Sequence, residues 1–152
     1  MLSRILWLDD EWQEVPEQLQ SFRQIAEKVD CAASIVEARK LLSSNEYDAI
    51  LVDMILTWGQ DDIPDKERLR PYLGTKIIEE ITGNENKKRP CIIVFTIASD
   101  ERLQSKLRIW RKKNIIQDIL VKSDSLCNSF EKVAQRIQEV IQRTKTEQLK
   151  IE

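Results

Sequence analysis

The sequence predicts an α/β fold in which a parallel sheet lies between two layers of helices. Two features support this prediction. Four short apolar runs recur along the 152 residues, and the stretches between them have the period of amphipathic helices. Uninterrupted apolar runs of this length are typical of strands covered on both faces, as in a parallel sheet. Strands that alternate with helices over five rounds indicate a doubly wound sandwich.

The apolar runs define the predicted strands. Four are clear: residues 4–10 (RILWLDD), 47–54 (YDAILVDM), 91–99 (CIIVFTIAS) and 115–123 (IIQDILVKS). A weaker run at 30–35 (DCAASI) supplies a further strand between the first two. Right-handed crossovers place the carboxyl ends of all these strands at the same edge of the sheet. A binding site in this fold is therefore expected at that edge.

Apolar stripes with helical spacing define five predicted helices. Their members are Val15, Leu19, Phe22, Ile25, Ala26 and Val29; Ile35, Ala38, Leu41 and Leu42; Ile77, Ile78 and Ile81; Leu103, Leu107 and Trp110; and Leu126, Phe130, Val133, Ile137, Val140 and Ile141. Residues 57–73 interrupt the alternation, because they contain Gly59, two prolines and mixed charge. We expect a long loop there, with at most one helical turn.

Composition limits the classes of function. The length favours one domain, which we place at residues 1–142, and we expect the polar tail at 143–152 to fray from the last helix. A net charge of −2 indicates neither a nucleic-acid partner nor a membrane surface. No apolar run approaches the ~20 residues of a membrane span, so the expected localisation is cytoplasmic. The absence of histidine excludes Ser-His-Asp and Cys-His catalysis and a His-ligated metal.

Polar side chains gather where four of the predicted strands end. They are Asp9, Asp10 and Glu11 after the first strand, Asp53 after the third, Thr96 after the fourth and Lys122 after the fifth. Converging carboxylates without compensation would cost on the order of several kcal/mol or would have to protonate. Mg²⁺ prefers oxygen ligands and is usually held by one or two protein carboxylates. The sequence therefore predicts a Mg²⁺ site, with Lys122 as a second positive charge and Thr96 as a hydroxyl donor.

The runs ILWLDDE, YDAILVDMIL, VFTIAS and DILVKS occur in that order at the predicted strand ends. They resemble the receiver (phosphoacceptor) domain of two-component response regulators, and the resemblance covers about residues 3–142. It implies a flavodoxin-like (βα)5 fold, a doubly wound sandwich whose five-stranded parallel sheet has the strand order 2-1-3-4-5. It also implies phosphorelay signalling, in which a sensor histidine kinase or a phosphotransfer protein donates a phosphoryl group to an aspartate.

By position, the resemblance assigns a phosphoacceptor, a metal site and two contacts to the phosphoryl oxygens. These are Asp53 as the phosphoacceptor; Asp9, Asp10, Asp53 and the backbone carbonyl of Ile55 as Mg²⁺ ligands; and Thr96 and Lys122 as the phosphoryl contacts. On this interpretation the chain promotes only its own phosphorylation and dephosphorylation. Its expected output is contact with a downstream protein partner, and a homodimer through the face of helix four, strand five and helix five is an alternative.

Three departures from the family pattern generate further expectations. Ile97 stands where the family usually has a small residue, so we expect restricted access to the phosphoryl site and slower dephosphorylation. Ile119 replaces the aromatic residue of strand five, so coupling through a rotating ring is unavailable. Residues 57–73 form an insertion beside the acceptor, which we name the inserted segment. It is either a tolerated surface loop or a lid or partner-binding element with Trp58 and Tyr72 as anchors.

Two other functions remain as alternatives. The departures at Ile97 and Ile119 are compatible with a receiver-like interaction module that no longer depends on phosphorylation. A Mg²⁺-dependent phosphohydrolase with an aspartyl nucleophile is the second alternative, although LDDEW lacks the DxD spacing that such enzymes often have. A DNA-binding role is disfavoured by the net charge and by the lack of a helix-turn-helix pattern.

Overall fold

Five parallel strands form one sheet in the order β2-β1-β3-β4-β5. The computed structural model describes residues 1–59, 63–68, 70–84 and 88–151, without the side chains of Leu126 and Ile151. The strands are β1 Leu2–Leu8, β2 Ala26–Ala32, β3 Ala49–Val52, β4 Cys91–Thr96 and β5 Asp118–Val121. The predicted parallel sheet and its strand order are confirmed.

Five helices connect and follow these strands. They are α1 Pro16–Arg23, α2 Ile35–Ser44, α3 Leu73–Gly83, α4 Glu101–Lys112 and α5 Phe130–Ile151. Side chains of the residues that precede α2 and α4 cap their first turns. Ser34 Oγ accepts from the Glu37 backbone N–H at 3.2 Å, and Asp100 Oδ1 accepts from the Leu103 N–H at 3.0 Å. These contacts satisfy donors that have no partner inside the helix.

Helices cover the sheet on both faces, as the uninterrupted apolar runs predicted. Along β1, Leu6 and Leu8 pack on the side of α2, α3 and α4, whereas Ile5 and Trp7 pack on the side of α1 and α5. Every residue of the two central strands β3 and β4 is buried. Trp7 meets Phe22 of α1 edge to face, with ring centroids 5.0 Å apart. The sheet is thus the middle layer of a three-layer sandwich.

The predictions for the first helix and the second strand were wrong in their boundaries. Helix α1 ends at Arg23, and β2 begins at Ala26, so the last members of the predicted stripe belong to the strand. The Leu2 N–H donates to the Ile25 carbonyl at 2.9 Å and Leu2 pairs with Ala26, which requires extended chain there. A spacing of four residues, as between Ile25 and Val29, fits a strand as well as a helix.

The end of the chain also differs from expectation. Residues 143–151 continue α5 and do not fray from it. They contain neither glycine nor proline, and Lys145 binds Asp48 at 3.1 Å, so the extension is attached to the body of the domain. At the other end α5 begins at Phe130, whereas the stripe predicted a start near Ser125, where a 3-10 turn lies instead. The side chain of Leu126, another predicted stripe member, lies outside the described part.

The described part of the inserted segment is joined to α2. The Ile35 and Val36 N–H groups donate to the carbonyls of Thr57 and Trp58, both at 3.0 Å. Gly59 has φ +125°, and a Cβ there would lie 2.8 Å from Val36 Cβ, so glycine is required. The Trp58 ring is only 6% exposed. Trp58 is therefore a core residue, and the expectation that it anchors a partner was wrong.

Further along, the inserted segment is held against α3 by charge. The expected helical turn is a 3-10 turn at Asp65–Glu67. The buried Glu67 carboxylate accepts from Arg70 Nε at 2.6 Å and lies 3.3 Å from Lys76 Nζ. Arg70, and then Lys76, hold the pKa of Glu67 below its usual range. A buried charge with two cationic partners is compensated, so this part of the segment is attached. Residues 60–62 and 69 lie outside the described residues.

Within the described residues, no helix combines the length and the apolar character that crossing a membrane requires.

Candidate functional site

The structure brings four of the predicted site residues together at the carboxyl edge of the sheet. Asp9 and Asp53 follow the neighbouring strands β1 and β3, in which Leu8 is paired with Val52. Thr96 is the last residue of β4, and Lys122 follows the last residue of β5. Because the strands are parallel, their ends meet, and side chains from distant parts of the sequence become neighbours.

Lys122 joins the two buried carboxylates. Its Nζ lies 2.6 Å from Asp9 Oδ2 and 3.0 Å from Asp53 Oδ2. The two aspartates are 1% and 3% exposed, whereas the lysine side chain is 26% exposed. The ammonium also lies 5.1 Å from the centroid of the Phe95 ring, which favours a cation at this position. One partly exposed cation therefore compensates two nearly buried anions.

The other oxygen of Asp53 is held by the neighbouring strand and by its own turn. Thr96 Oγ1 donates to Asp53 Oδ1 at 2.5 Å, and the Ile55 N–H donates to the same oxygen at 3.0 Å. The Ala98 N–H donates in turn to Thr96 Oγ1 at 3.2 Å. Since a backbone N–H can only donate, the threonine proton must point to the carboxylate. The orientation of the hydroxyl is thus fixed by its partners.

The remaining acids occupy different positions. Asp10 is exposed at the mouth of the site, while Glu11 contributes its backbone N–H, which donates to Asp9 Oδ1 at 2.8 Å. Carboxylate oxygens of Asp9, Asp10 and Asp53 all lie within 4.8 Å of one another. A Mg²⁺–oxygen distance of about 2.1 Å places opposite ligands about 4.2 Å apart, so a small adjustment brings the three into range. The donor set therefore fits a hard cation with water on its open side.

The electrostatics of the site favour such a cation. Burial, and the neighbouring Asp53 to a smaller extent, raise the pKa of Asp9, although Lys122 opposes this shift. Burial and then the charge of Asp9 raise the pKa of Asp10. Burial alone would lower the pKa of Lys122, but the hydrogen bond to Asp9 and the charge of Asp53 raise it. Three carboxylates beside one ammonium leave an excess of negative charge, which a divalent cation would balance.

Gly74 allows α3 to lie against the end of β3. Its N–H donates to the Met54 carbonyl at 3.1 Å, and a Cβ on this residue would come within 2.6 Å of Met54 Cα and against the Asp53 carbonyl. No other residue type fits here without displacing the backbone next to Asp53. No local sequence pattern predicts this contact of Gly74 with the end of β3, because it depends on tertiary packing.

Two isoleucines lie at the rim of the site. Ile97, directly after Thr96, is 58% exposed, and Ile55, two residues after Asp53, is 42% exposed. Ile97 thus lies at the surface and does not fill the pocket. Its effect on access and on dephosphorylation stays a prediction. Ile119, which replaces the expected aromatic residue, packs against the core on the side of α2, α3 and α4.

One contact beside the site was not foreseen. The Tyr72 hydroxyl, at the end of the inserted segment, donates to Asp100 Oδ2 at 2.5 Å. Asp100 ends the turn that follows Thr96, and its other oxygen caps α4. The SDE at 99–101 is a sequence pattern typical of a helix cap. The second role of Asp100, as acceptor for the Tyr72 hydroxyl, depends on a residue 28 positions away in the sequence. Tyr72, expected as an anchor for a partner, is engaged within the chain.

Solved structures with the same fold are receiver domains. A response regulator receiver domain protein (CheY-like) from Methanospirillum hungatei aligns over 97% of this chain and 99% of its own, at 17% identity and a TM-score of 0.68. A two-component response regulator from Clostridium difficile aligns over 93% of this chain and 98% of its own, at 19% identity and a TM-score of 0.61. The BeF3-activated receiver domain of DrrB, which is from Thermotoga maritima, aligns over 93% of this chain and 99% of its own, at 18% identity and a TM-score of 0.62.

No family model matches the chain, and no curated protein matches its sequence. At the identities of these structural neighbours, the likeness establishes a shared fold. The chain has the flavodoxin-like fold of receiver domains, including the strand order and the five helices.

Proposed function

We propose that this chain is a receiver domain that accepts a phosphoryl group on Asp53 in the presence of Mg²⁺ and signals by contact with another protein. One observation carries the proposal: Lys122 Nζ lies between Asp9 and Asp53 while Thr96 donates to the other oxygen of Asp53. A carboxylate, an ammonium group and a hydroxyl donor thus lie together next to the exposed Asp10. Those are the groups that phosphoryl transfer to a carboxylate requires.

The contacts of Asp53 indicate which oxygen attacks. Oδ1 accepts from Thr96 and from the Ile55 N–H, whereas within the described part of the chain Oδ2 accepts a hydrogen bond from Lys122 alone. Oδ2 is therefore the freer oxygen, and its lone pair forms the new bond to phosphorus while the P–N bond of a phosphohistidine donor breaks. The departing imidazole nitrogen keeps the electron pair of that bond and takes a proton from water. An ionised carboxylate needs no general base, which suits a chain without histidine.

The other residues act on charge. Asp9, Asp10, Asp53 and the backbone carbonyl of Ile55 would hold the Mg²⁺. When bound, that ion supplies positive charge against the transferring phosphoryl oxygens. Lys122 is already within hydrogen-bonding distance of the nucleophile and can turn to a phosphoryl oxygen. Thr96 can do the same with its hydroxyl. Both residues already contact Asp53, so each can reach a phosphoryl oxygen on that side chain by a change of hydrogen-bond partner.

The expected donors are a sensor histidine kinase or a phosphotransfer protein in the cytoplasm, and the expected output is a downstream protein. The face formed by α4, β5 and α5 is the proposed contact surface for that output or for a homodimer. A movement of Thr96 toward the phosphoryl group would shift the turn before α4 and so alter this face.

Phosphotransfer measured by intact mass tests the proposal. The wild-type chain with a small phosphodonor or a histidine kinase and Mg²⁺ is expected to gain one phosphoryl group. The Asp53→Asn variant, or wild type in EDTA, is expected to gain none. Size-exclusion chromatography of the same samples reports any change in oligomeric state. Absence of the mass increase with every donor, or equal labelling of Asp53→Asn, would overturn the assignment. Repeated turnover of a phosphate monoester would instead indicate a phosphohydrolase.

A further inference from the structure

A closed ring of contacts connects the phosphoacceptor strand to the inserted segment and back. Starting at Asp53, the ring passes through the Thr96 hydroxyl to the turn at residues 97–100, which ends at Asp100. Asp100 accepts from the Tyr72 hydroxyl at 2.5 Å. Two residues after Tyr72, the Gly74 N–H returns to the Met54 carbonyl at 3.1 Å, next to Asp53.

Both ends of the 97–100 turn are therefore fixed. At the first end, the Ala98 N–H donates to Thr96 Oγ1 at 3.2 Å. At its middle, Gln104 Nε2 donates to the Ala98 carbonyl at 3.1 Å. At the far end, Asp100 uses one carboxylate oxygen for the Leu103 N–H and the other for Tyr72. The Tyr72 bond is the one contact of this set that comes from outside the continuous stretch of β4, the turn and α4.

Tyr72 is itself held at a defined position. Its carbonyl accepts from the Thr75 hydroxyl at 2.7 Å, and that hydroxyl also accepts from Arg70 at 2.9 Å. Arg70 is bound in turn to Glu67, the buried carboxylate of the inserted segment. The phenol therefore extends from a braced backbone and not from a free loop. Ordering the Tyr72 side chain costs correspondingly less conformational entropy.

We propose that Tyr72 is a positioning residue of the phosphoacceptor site, which acts through Asp100 to hold the 97–100 turn so that the Thr96 hydroxyl stays directed into the pocket. This inference rests on the proposed function and deepens it, because it assigns to the inserted segment a role in phosphoryl binding. The Thr96 hydroxyl points to Asp53 in the absence of a phosphoryl group. Tyr72 keeps this preorganised arrangement populated, so less of the binding free energy is used to order the turn.

Two titrations separate this role from simple packing. Mg²⁺ would bind to Asp9, Asp10 and Asp53, which Tyr72 does not contact among the described hydrogen bonds. Beryllofluoride, a phosphoryl mimic added with Mg²⁺, would also need Thr96. The Tyr72→Phe variant is therefore expected to bind Mg²⁺ like wild type and to bind beryllofluoride about three- to tenfold more weakly, as measured by calorimetry.

The chain offers a matched control in its other tyrosine. Tyr47 also donates its hydroxyl to an aspartate, Asp30, at 2.7 Å, but it precedes β3 at the opposite edge of the sheet. Tyr47→Phe removes the same chemical group and is expected to leave both affinities unchanged. Asp100→Ser keeps a capping oxygen for α4 but frees Tyr72. It should weaken beryllofluoride binding like Tyr72→Phe, with no further loss in the double variant.

Hydrogen exchange in the ligand-free protein gives a readout that needs no phosphoryl mimic. The Ala98 amide, which donates to Thr96 Oγ1, is expected to exchange about three- to tenfold faster in Tyr72→Phe than in wild type or Tyr47→Phe. If wild type binds beryllofluoride and Tyr72→Phe binds it equally, with unchanged Ala98 exchange, the inference falls and the proposed function stands. If wild type itself binds no beryllofluoride with Mg²⁺, the proposed function falls, and the inference falls with it.

Discussion

Replacement of Lys122 by methionine tests the charge balance of the site. Methionine keeps most of the side-chain length and removes the ammonium from between Asp9 and Asp53, which are 1% and 3% exposed. Loss of one partner from a buried ion pair costs about 3–5 kcal/mol. The mouth of the site is open, since the lysine side chain is 26% exposed, so solvent screening reduces the expected loss to about 2–4 kcal/mol.

Protonation sets an upper limit to this loss. If one aspartate with the ordinary pKa of 3.8 takes up a proton at pH 7, the cost is about 4 kcal/mol, at 1.36 kcal/mol per pH unit. The loss of stability cannot exceed this value, because one of the two aspartates would then take up a proton. For a domain of this length, about 2–4 kcal/mol corresponds to a decrease in Tm of roughly 5–15 °C.

Thermal unfolding followed by circular dichroism, in EDTA and in Mg²⁺, measures this effect. Mg²⁺ should recover more stability in Lys122→Met than in wild type, because the ion replaces the missing positive charge and binds only the folded state. Lys106→Met is the control, since Lys106 is 45% exposed and lies 3.9 Å from Glu79, and its loss should stay under about 1 kcal/mol. Equal losses in the two variants, or no extra recovery with Mg²⁺, would refute the assigned charge balance.

Three further predictions follow from the same contacts. Gly74→Ala should lose about 1–3 kcal/mol of unfolding free energy, measured in urea, because its Cβ would meet Met54. The control Gly83→Ala should lose none, because a Cβ there has no atom within 4 Å; equal losses in the two variants would refute the close approach of Gly74. Trp58→Ala should lose about 3–5 kcal/mol in the same assay, as a core tryptophan does, and a surface-like loss below about 1 kcal/mol would contradict its burial. Because the pKa of Asp9 is raised mainly by burial, its deprotonation opposes folding. In EDTA the stability of Asp9→Asn relative to wild type should therefore increase as the pH rises above 3.8 and through the higher folded pKa of Asp9; a stability difference that does not change with pH would contradict this.

The sequence was sufficient for the sheet because its central strands are buried on both faces. An uninterrupted apolar run such as AILV at 49–52 is typical of a strand that is buried on both faces. The predicted start of the edge strand β2 lay too far along the sequence. The middle of this strand is only half-buried, and its residues alternate without a clear period, so no uninterrupted apolar run marks it. The spacing of Ile25 and Val29 fitted both a helix and a strand, and the pairing of Leu2 with Ala26 in the folded sheet decides for the strand.

The convergence of the site residues was predictable for a topological reason. Parallel strands end at one edge, so a polar residue directly after each strand must lie near the others, whatever the loops do. The strand topology does not determine the contacts of the inserted segment. The bond from Tyr72 to Asp100 and the burial of Glu67 depend on how a long connection crosses the surface. No periodicity in the sequence encodes that path, and for this reason the sequence left open whether Trp58 anchors a partner, whereas the structure buries it in the core.

Under the proposed function, Lys122 and a divalent cation would compete for the same carboxylates. In the structure all four carboxylate oxygens of Asp9 and Asp53 accept a hydrogen bond, and Lys122 supplies two of these bonds. A cation entering beside Asp10 must share those oxygens with the ammonium or take them from it. Either course weakens the hold of the aspartates on Lys122. On the proposed function, a phosphoryl group on Asp53 would then offer the lysine a new anionic partner, so metal binding would prepare the lysine for the transfer.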